Sequence, residues 1–284
     1  MMDQRSEISE FLRTRRARTT PGQAGLPDDG RVRRVPGLRR DEVARLANMS
    51  TEYYTRLEQG RAGNPSPEVL DGLSEALRLD ASEREHLKDL FGRRPARRAP
   101  AVAQRVRPGL QLTLQSLDNV PAFILGRRTD VLAVNRLGRA VITDFESRPA
   151  ASRNMARFVL LEPAARERVV DWEAAARDIV AILRFESGRY PGDRQLADLI
   201  EELQTGSPDF ADWWGDHQVL LRTNGVKRYQ HPVVGALEFH YESFTMPGDP
   251  DQTLCVYNVE PGSATAEALR LLDSWTSTET RSAR

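Results

Sequence analysis

Thr51, Glu52 and Arg56 follow directly on the corner Asn48-Met49-Ser50, and their side chains suit the reading of base edges. An arginine guanidinium can donate two parallel hydrogen bonds to guanine, and a glutamate can accept one from the amino group of cytosine. That chemistry needs a short helix whose first turns stand free. The residues around the three supply one. Leu38, Val43, Ala44, Leu46 and Ala47 give a preceding helix a buried face. Asn48 tolerates the positive φ of a sharp turn, and Ser50 is a good N-cap for the helix that follows. Tyr54, Leu57 and Glu58 fall on the inner side of that helix by three- and four-residue spacing, which leaves Thr51, Glu52 and Arg56 facing outward. Two helices joined by such a corner form a helix-turn-helix, whose second helix fits the major groove of DNA.

The stretch LRRDEVARLANMSTEYYTRLEQGR resembles the phage-repressor-type (xenobiotic-response-element, XRE) helix-turn-helix, and the resemblance extends from about Ser6 to Phe91. It implies a lambda-repressor-like all-α domain. Thr51, Glu52 and Arg56 match base-reading positions, and Arg40, Ser50 and Tyr53 match backbone-contacting ones. Tyr54 matches a core position, and Gly60 matches the residue that closes the helix. The sequence departs from the family at Asn48, where glycine is usual, and at Arg40, where many members carry glutamine; an arginine there keeps a phosphate contact and adds charge. Arg39, Arg45 and Arg61 read equally as solvated surface arginines or as phosphate contacts. The run RVRRVPGLRR, residues 31–40, favours phosphate contact, because clustered charge displaces condensed counterions.

The chain has 284 residues and zero net charge, which predicts about two domains. The charge is unevenly divided. Residues 1–107 carry 22 Lys and Arg against 16 Asp and Glu, a balance of +6, and the remaining 19 and 25 give −6. A basic half suits a polyanion, although chance surface variation gives the same count. ISEFLRTRRAR predicts an N-terminal helix with Ile8, Phe11 and Leu12 on one side and a basic opposite face. Ser66-Pro67 and the pair Asp80/Glu83 mark the starts of two more helices. FGRRPARRAPAVAQRVRPG, with three prolines and six arginines, predicts a linker over 92–107. The single cysteine, Cys255, reads as a small buried hydrophobe. No apolar run reaches the length of a membrane span and the N-terminal stretch lacks an apolar signal core, so a cytoplasmic protein with no membrane partner is expected.

Beyond the linker the pattern predicts an α+β domain over 108–284. AFILGRRTDVLAV reads as two strands about a turn at 127–130. KRYQHPVVGALEFHYESFTM and QTLCVYNVEP read as three more, with a turn at Pro247-Gly248-Asp249-Pro250. RPGLQLTLQSLDNVPAFILGRRTDVLAVNRLGRAVI, SPDFADWWGDHQV, HPVVGALEFHYESFTMPGDPDQTLCVYNVEPGSATAEALRLL and DSW together resemble the MmyB-type ligand-binding domain, from Arg107 to about Trp275. That resemblance implies a PAS-like fold, with a curved antiparallel sheet flanked by helices and a cavity for a small, fatty-acid-like ligand. Phe123, Leu125, Val134, Phe158, Leu160, Ile179, Leu183, Phe239 and Tyr241 are its candidate lining, residue types that are more often plain core. Asn135, Arg153, Asn154, Trp172, Arg177, Arg184 and His231 are the polar candidates, an arginine being the residue a carboxylate ligand would favour. Asn135 suits a strand-end cap as well, and His231-Pro232 a turn.

Nothing in the sequence selects catalysis. The four histidines, His86, His217, His231 and His240, fall in no tight metal spacing, and no nucleophile elbow, phosphate loop or dinucleotide fingerprint is present. No cofactor, metal or catalytic residue is expected. The expected protein is a bacterial-type regulator with double-stranded operator DNA, a small apolar effector and a second copy of itself as partners. The alternative is a C-terminal domain that docks a protein.

Overall fold

The computed structural model describes residues 4–27, 37–92, 104–220 and 224–282. Residues 31–36 of the basic run and 93–103 of the expected linker lie outside them. The chain divides into two compact units. The first holds the N-terminal helices together with Arg184–Ile200 and Asp212–Leu221; the second holds the chain from residue 104 to Leu183, Glu201–Ala211 and the chain from residue 224 onward.

Among the described residues five helices come first: α1 Gln4–Arg18, α2 Arg40–Leu46, α3 Thr51–Glu58, α4 Pro67–Ala76 and α5 Ala81–Phe91. Their boundaries follow local chemistry. Asp80 accepts from the backbone of Glu83, whose side chain returns a bond to Asp80, a complete capping box. Pro67 occupies the first turn of α4, although the Ser66 hydroxyl makes no capping bond. Ile8, Phe11, Leu12, Leu38, Val43, Tyr54, Leu57, Leu73, Leu87 and Leu90 meet in one apolar core, which Phe185 and Val219 complete. Arg15 departs from the expected solvated basic face of α1: it is only 1% exposed. Its place is legible in hindsight, because residues 8, 11, 12 and 15 form one helical stripe. Burial is possible there because its Nε lies 3.0 Å from Glu83 and its Nη2 donates to the His217 carbonyl.

The remaining helices are α6 Pro108–Ser116, α7 Arg136–Val141, α8 Met155–Leu161, α9 Pro163–Arg168, α10 Trp172–Arg189, α11 Arg194–Gly206, α12 Pro208–Trp214 and α13 Ala264–Ser282. The strands are β1 Ala122–Leu125, β2 Val131–Val134, β3 Asn224–His231, β4 Gly235–Met246 and β5 Asp249–Asn258. They form one antiparallel sheet in the order β2-β1-β5-β4-β3. The β4–β5 turn is tighter than the four residues expected. Met246 pairs with Asp249, and Gly248 takes φ 89°, which a side chain would resist.

Register fixes what each sheet face carries. Ala122, Ile124, Ala133, Leu254 and Val256 pack with Leu110 and Leu114 of α6. The pairs Phe123–Val134, Phe123–Cys255, Tyr241–Tyr257, Lys227–Phe239 and Tyr229–Leu237 put a row of aromatics on the other face. Each edge strand is met at one point by a further segment. Val170 donates its amide to the Arg228 carbonyl beside β3, and Val131 of β2 donates to the Arg153 carbonyl. No described helix is long and apolar enough to cross a membrane.

Candidate nucleic-acid interface and effector face

The corner between α2 and α3 is built as the residues require. Asn48 takes φ 50°, and the Ser50 Oγ accepts the Tyr53 amide at 3.1 Å. Thr51, Glu52 and Arg56 are exposed, Tyr53 and Thr55 are half-buried, and Tyr54 and Leu57 are buried. The Arg56 guanidinium lies 5.8 Å from the Tyr53 ring centre, so the ring backs this exposed cation. Gly60, just past the helix end, takes φ 62°. A Cβ there would stand 2.8 Å from the Arg5 backbone, so the close approach of α1 to the end of α3 requires glycine.

Glu58 is the hub beneath this helix. Its carboxylate takes the Arg16 Nε at 2.6 Å, the Arg40 Nη2 at 2.7 Å and the Tyr54 hydroxyl at 2.9 Å. Burial alone would raise its pKa, but the bonds from Arg16, Arg40 and Tyr54 outweigh burial and hold it below the ordinary carboxylate value. Tyr54 moves the other way: burial and the adjacent Glu58 charge raise its pKa well above that of a free tyrosine. Arg40 opens α2 and remains exposed, as do Arg45 and Arg61, while Arg39 is half-buried with its amide on Glu42 at 2.7 Å. The corner therefore presents a short exposed helix start flanked by arginines.

In the second unit, the aromatic sheet face has Tyr229 and Tyr257 hydroxyls 3.1 Å apart. Phe239 and Phe123 stand 5.5 and 5.4 Å from the Tyr257 ring. Burial pushes the Tyr229 hydroxyl up to about 12 and that of Tyr257 well above its usual range. The Lys227 ammonium lies 3.3 Å from Asp178 of α10 and 5.4 Å from the Tyr241 ring centre. Burial also pushes the Cys255 thiol up to about 11, which keeps it a protonated, unreactive group beside Ser243.

The other expected polar residues are held in framework bonds. The Asn135 side chain accepts from the Ala122 and Gly138 amides and donates to the Leu117 and Val120 carbonyls. Asn154 caps α8 and donates to Arg128 and Asp130. His231 meets the Ala140 carbonyl at 3.0 Å and accepts from Val233, closing the β3–β4 turn; burial lowers its pKa. Asn135 and His231 thus flank α7 from two sides. Arg153 donates to the Arg148 and Glu146 carbonyls. The Trp172 indole donates to Val159 at 2.8 Å, with the Arg166 guanidinium 3.6 Å over its ring. Arg177 is exposed and pairs with Glu173 one turn away. Arg184 lies in the first unit, paired with Glu7 at 2.7 Å. Of the expected lining, Phe123, Val134, Phe158, Leu160, Ile179, Leu183, Phe239 and Tyr241 are buried, and Leu125 is half-buried.

Lys227, Asp178, Tyr229 and Tyr257 were not singled out in the sequence. The signal for three of them was alternation: Lys227 and Tyr229 in β3, Phe239 and Tyr241 in β4, and Cys255 and Tyr257 in β5 each stand two apart. Among the described residues no cluster of three or more His, Cys, Asp or Glu is placed to hold a metal ion.

Two family models match the chain. One, described as the MmyB-like transcription regulator ligand binding domain, matches residues 106–272. The other, described as a helix-turn-helix domain, matches residues 7–87. No curated protein matches it.

Proposed function

The chain belongs to the MmyB-like transcription regulators, and from that premise we propose that it binds an operator sequence-specifically and senses a small apolar or fatty-acid-like effector in its α+β domain. The two matches put a helix-turn-helix domain and a ligand-binding domain on one chain. The observation that carries the finer reading is the exposed start of α3. Thr51, Glu52 and Arg56 stand out over a corner that buries Val43, Ala44, Ala47, Tyr54 and Leu57 and bonds the Ser50 hydroxyl to the Tyr53 amide. In this reading those three meet base edges, Arg40, Ser50 and Tyr53 meet the sugar-phosphate backbone, and Arg39 and Arg61 add phosphate contacts. As one short helix reads few base pairs, the regulator binds as a homodimer on half-sites about 34 Å apart. Its place of action is the cytoplasm of a bacterium, where the operator is.

For the effector we assign the aromatic sheet face. Tyr241 and Lys227 meet the ligand, and Asn135, Asn154 and His231 hold the walls. Trp172, Arg153 and Arg177 complete the polar set expected of a site that is mainly apolar. Native mass spectrometry of the purified protein tests this: a retained lipid-sized mass supports the sensor.

A second reading, docking of a protein partner, is favoured by exposed apolar side chains in the second unit. Phe244 is 50% exposed, Leu271 65% and Trp275 51%. A protein free of any small ligand, including after incubation with cell-extract lipids, would favour that reading.

A further inference from the structure

Residues 184–189 and 214–219 fall inside the stretch matched by the ligand-binding family model, yet within the first compact unit they pack on α1 and α5. Their contacts are buried and specific. The Arg184 side chain, 1% exposed, meets Glu7 at 2.7 Å, donates to the Trp214 carbonyl and lies 3.7 Å over the Trp214 ring. His217 meets Glu10 at 2.6 Å, and its carbonyl accepts from the buried Arg15. His86 of α5 sits edge-on to Phe11 at 5.0 Å and 6.2 Å from Phe185. It lies so close to Gly188 that a Cβ there would stand 2.4 Å from its ring. Phe185 and Val219 complete the same apolar core that seats α3.

We propose that these two segments are a brace for α1, and that DNA binding depends on them. α1 is shared between the brace and the recognition corner. α1 carries Arg16, the closest cation to Glu58 of α3, and Arg5, against whose backbone the end of α3 closes at Gly60. On its opposite side α1 offers Glu7, Glu10 and Arg15 to the brace. The Arg184–Glu7 pair, with its guanidinium buried, destabilises strongly when one partner is lost, because the other is left in a poorly solvating surround. Displacing the brace therefore unseats α1, which is one of the elements that hold α3. The helix that supplies Arg184 and Phe185, α10, also carries Asp178, the partner of Lys227 on the aromatic face. The brace is thus the route by which the effector region bears on DNA binding, a consequence that rests on the regulator reading.

The test uses the full-length chain carrying Arg184→Met, with backbone hydrogen exchange as the first readout and affinity for a selected duplex as the second. The brace predicts that α1 and α3 amides exchange at least tenfold faster while β1, β4 and β5 are unchanged, and that DNA affinity falls at least tenfold. Unchanged exchange in α1 and α3 overturns it. Should Arg184→Met fail to fold, Glu7→Gln, which keeps the hydrogen bond and removes the charge, is read the same way and must give a smaller loss in the same direction. The exchange readout is independent of DNA. A wild-type protein that binds no duplex would sink the regulator reading and leave the brace to be decided by exchange alone.

Discussion

The Arg40 guanidinium lies 2.7 Å from the Glu58 carboxylate, half exposed at its outer end while Glu58 is only 3% exposed. A cation at the mouth of the corner is therefore oriented by a carboxylate inside the fold. Its two halves predict different phenotypes. Arg40→Ala removes a surface partner, so stability changes by about 1 kcal/mol or less. Its DNA affinity should fall by a similar factor on every sequence, with the salt slope reduced by about one. Anisotropy titrations at several salt concentrations read both.

Glu58→Ala takes away the shared acceptor of Arg16, Arg40 and Tyr54. Removing one partner of a buried pair costs about 3–5 kcal/mol, read as a lower urea midpoint. A midpoint within experimental error of wild type would mean that the hub does not hold α3.

Arg56 is exposed, with the Tyr53 ring behind it. Arg56→Ala should cost about 1–3 kcal/mol of specific binding and relax base choice at one operator position. If binding is equal across all operator variants, before and after the change, that arginine does not read a base.

Stability should also fall as the pH drops below about 6.5. His86 is held near pKa 3, first by burial and then by Arg184 and Arg15, and at His217 burial and the same two arginines outweigh the Glu10 carboxylate 2.6 Å away and lower its pKa likewise. Above the ordinary histidine value both folded and unfolded chains carry them neutral, so nothing changes. Below it the unfolded chain takes up two protons that the folded chain refuses, so stability declines toward pH 3 by up to about 1.4 kcal/mol per pH unit for each histidine. Glu58 acts in the same direction lower down, since its depressed pKa gives stability that disappears as the carboxylate protonates. Urea midpoints from pH 7.5 to 5 check this, and His217→Gln should roughly halve the slope. A flat profile between pH 6.5 and 5 would show that neither histidine is kept neutral by the fold.

Local chemistry explains what the sequence disclosed. The Asn48 corner, the Ser50 cap, the Asp80–Glu83 box and the strand pairs about Thr129 and Gly248 each depend on residues within a few positions of one another. Spacing also sorted α3 into an inner and an outer side. The brace was hidden for the opposite reason. Glu7 and Arg184 are 177 positions apart, and a charged residue in a helix reads as solvated until its distant partner is known. The same holds for Asn135, Asn154 and His231, whose residue types suit a ligand and whose side chains are held in framework bonds. The aromatic face lay between: its period of two was readable, but which strands bring Tyr229, Tyr241 and Tyr257 side by side is a matter of sheet order.

The most direct measurement is the affinity of the full-length protein for the duplex it enriches most from a random pool, taken between about 50 and 300 mM salt, against a scrambled duplex. The predicted result is an enriched two-fold motif, bound more tightly than the scrambled control, with log affinity falling linearly as log salt rises. Enrichment of no motif, or an affinity that is the same at every salt concentration, would contradict a recognition helix docked between phosphates.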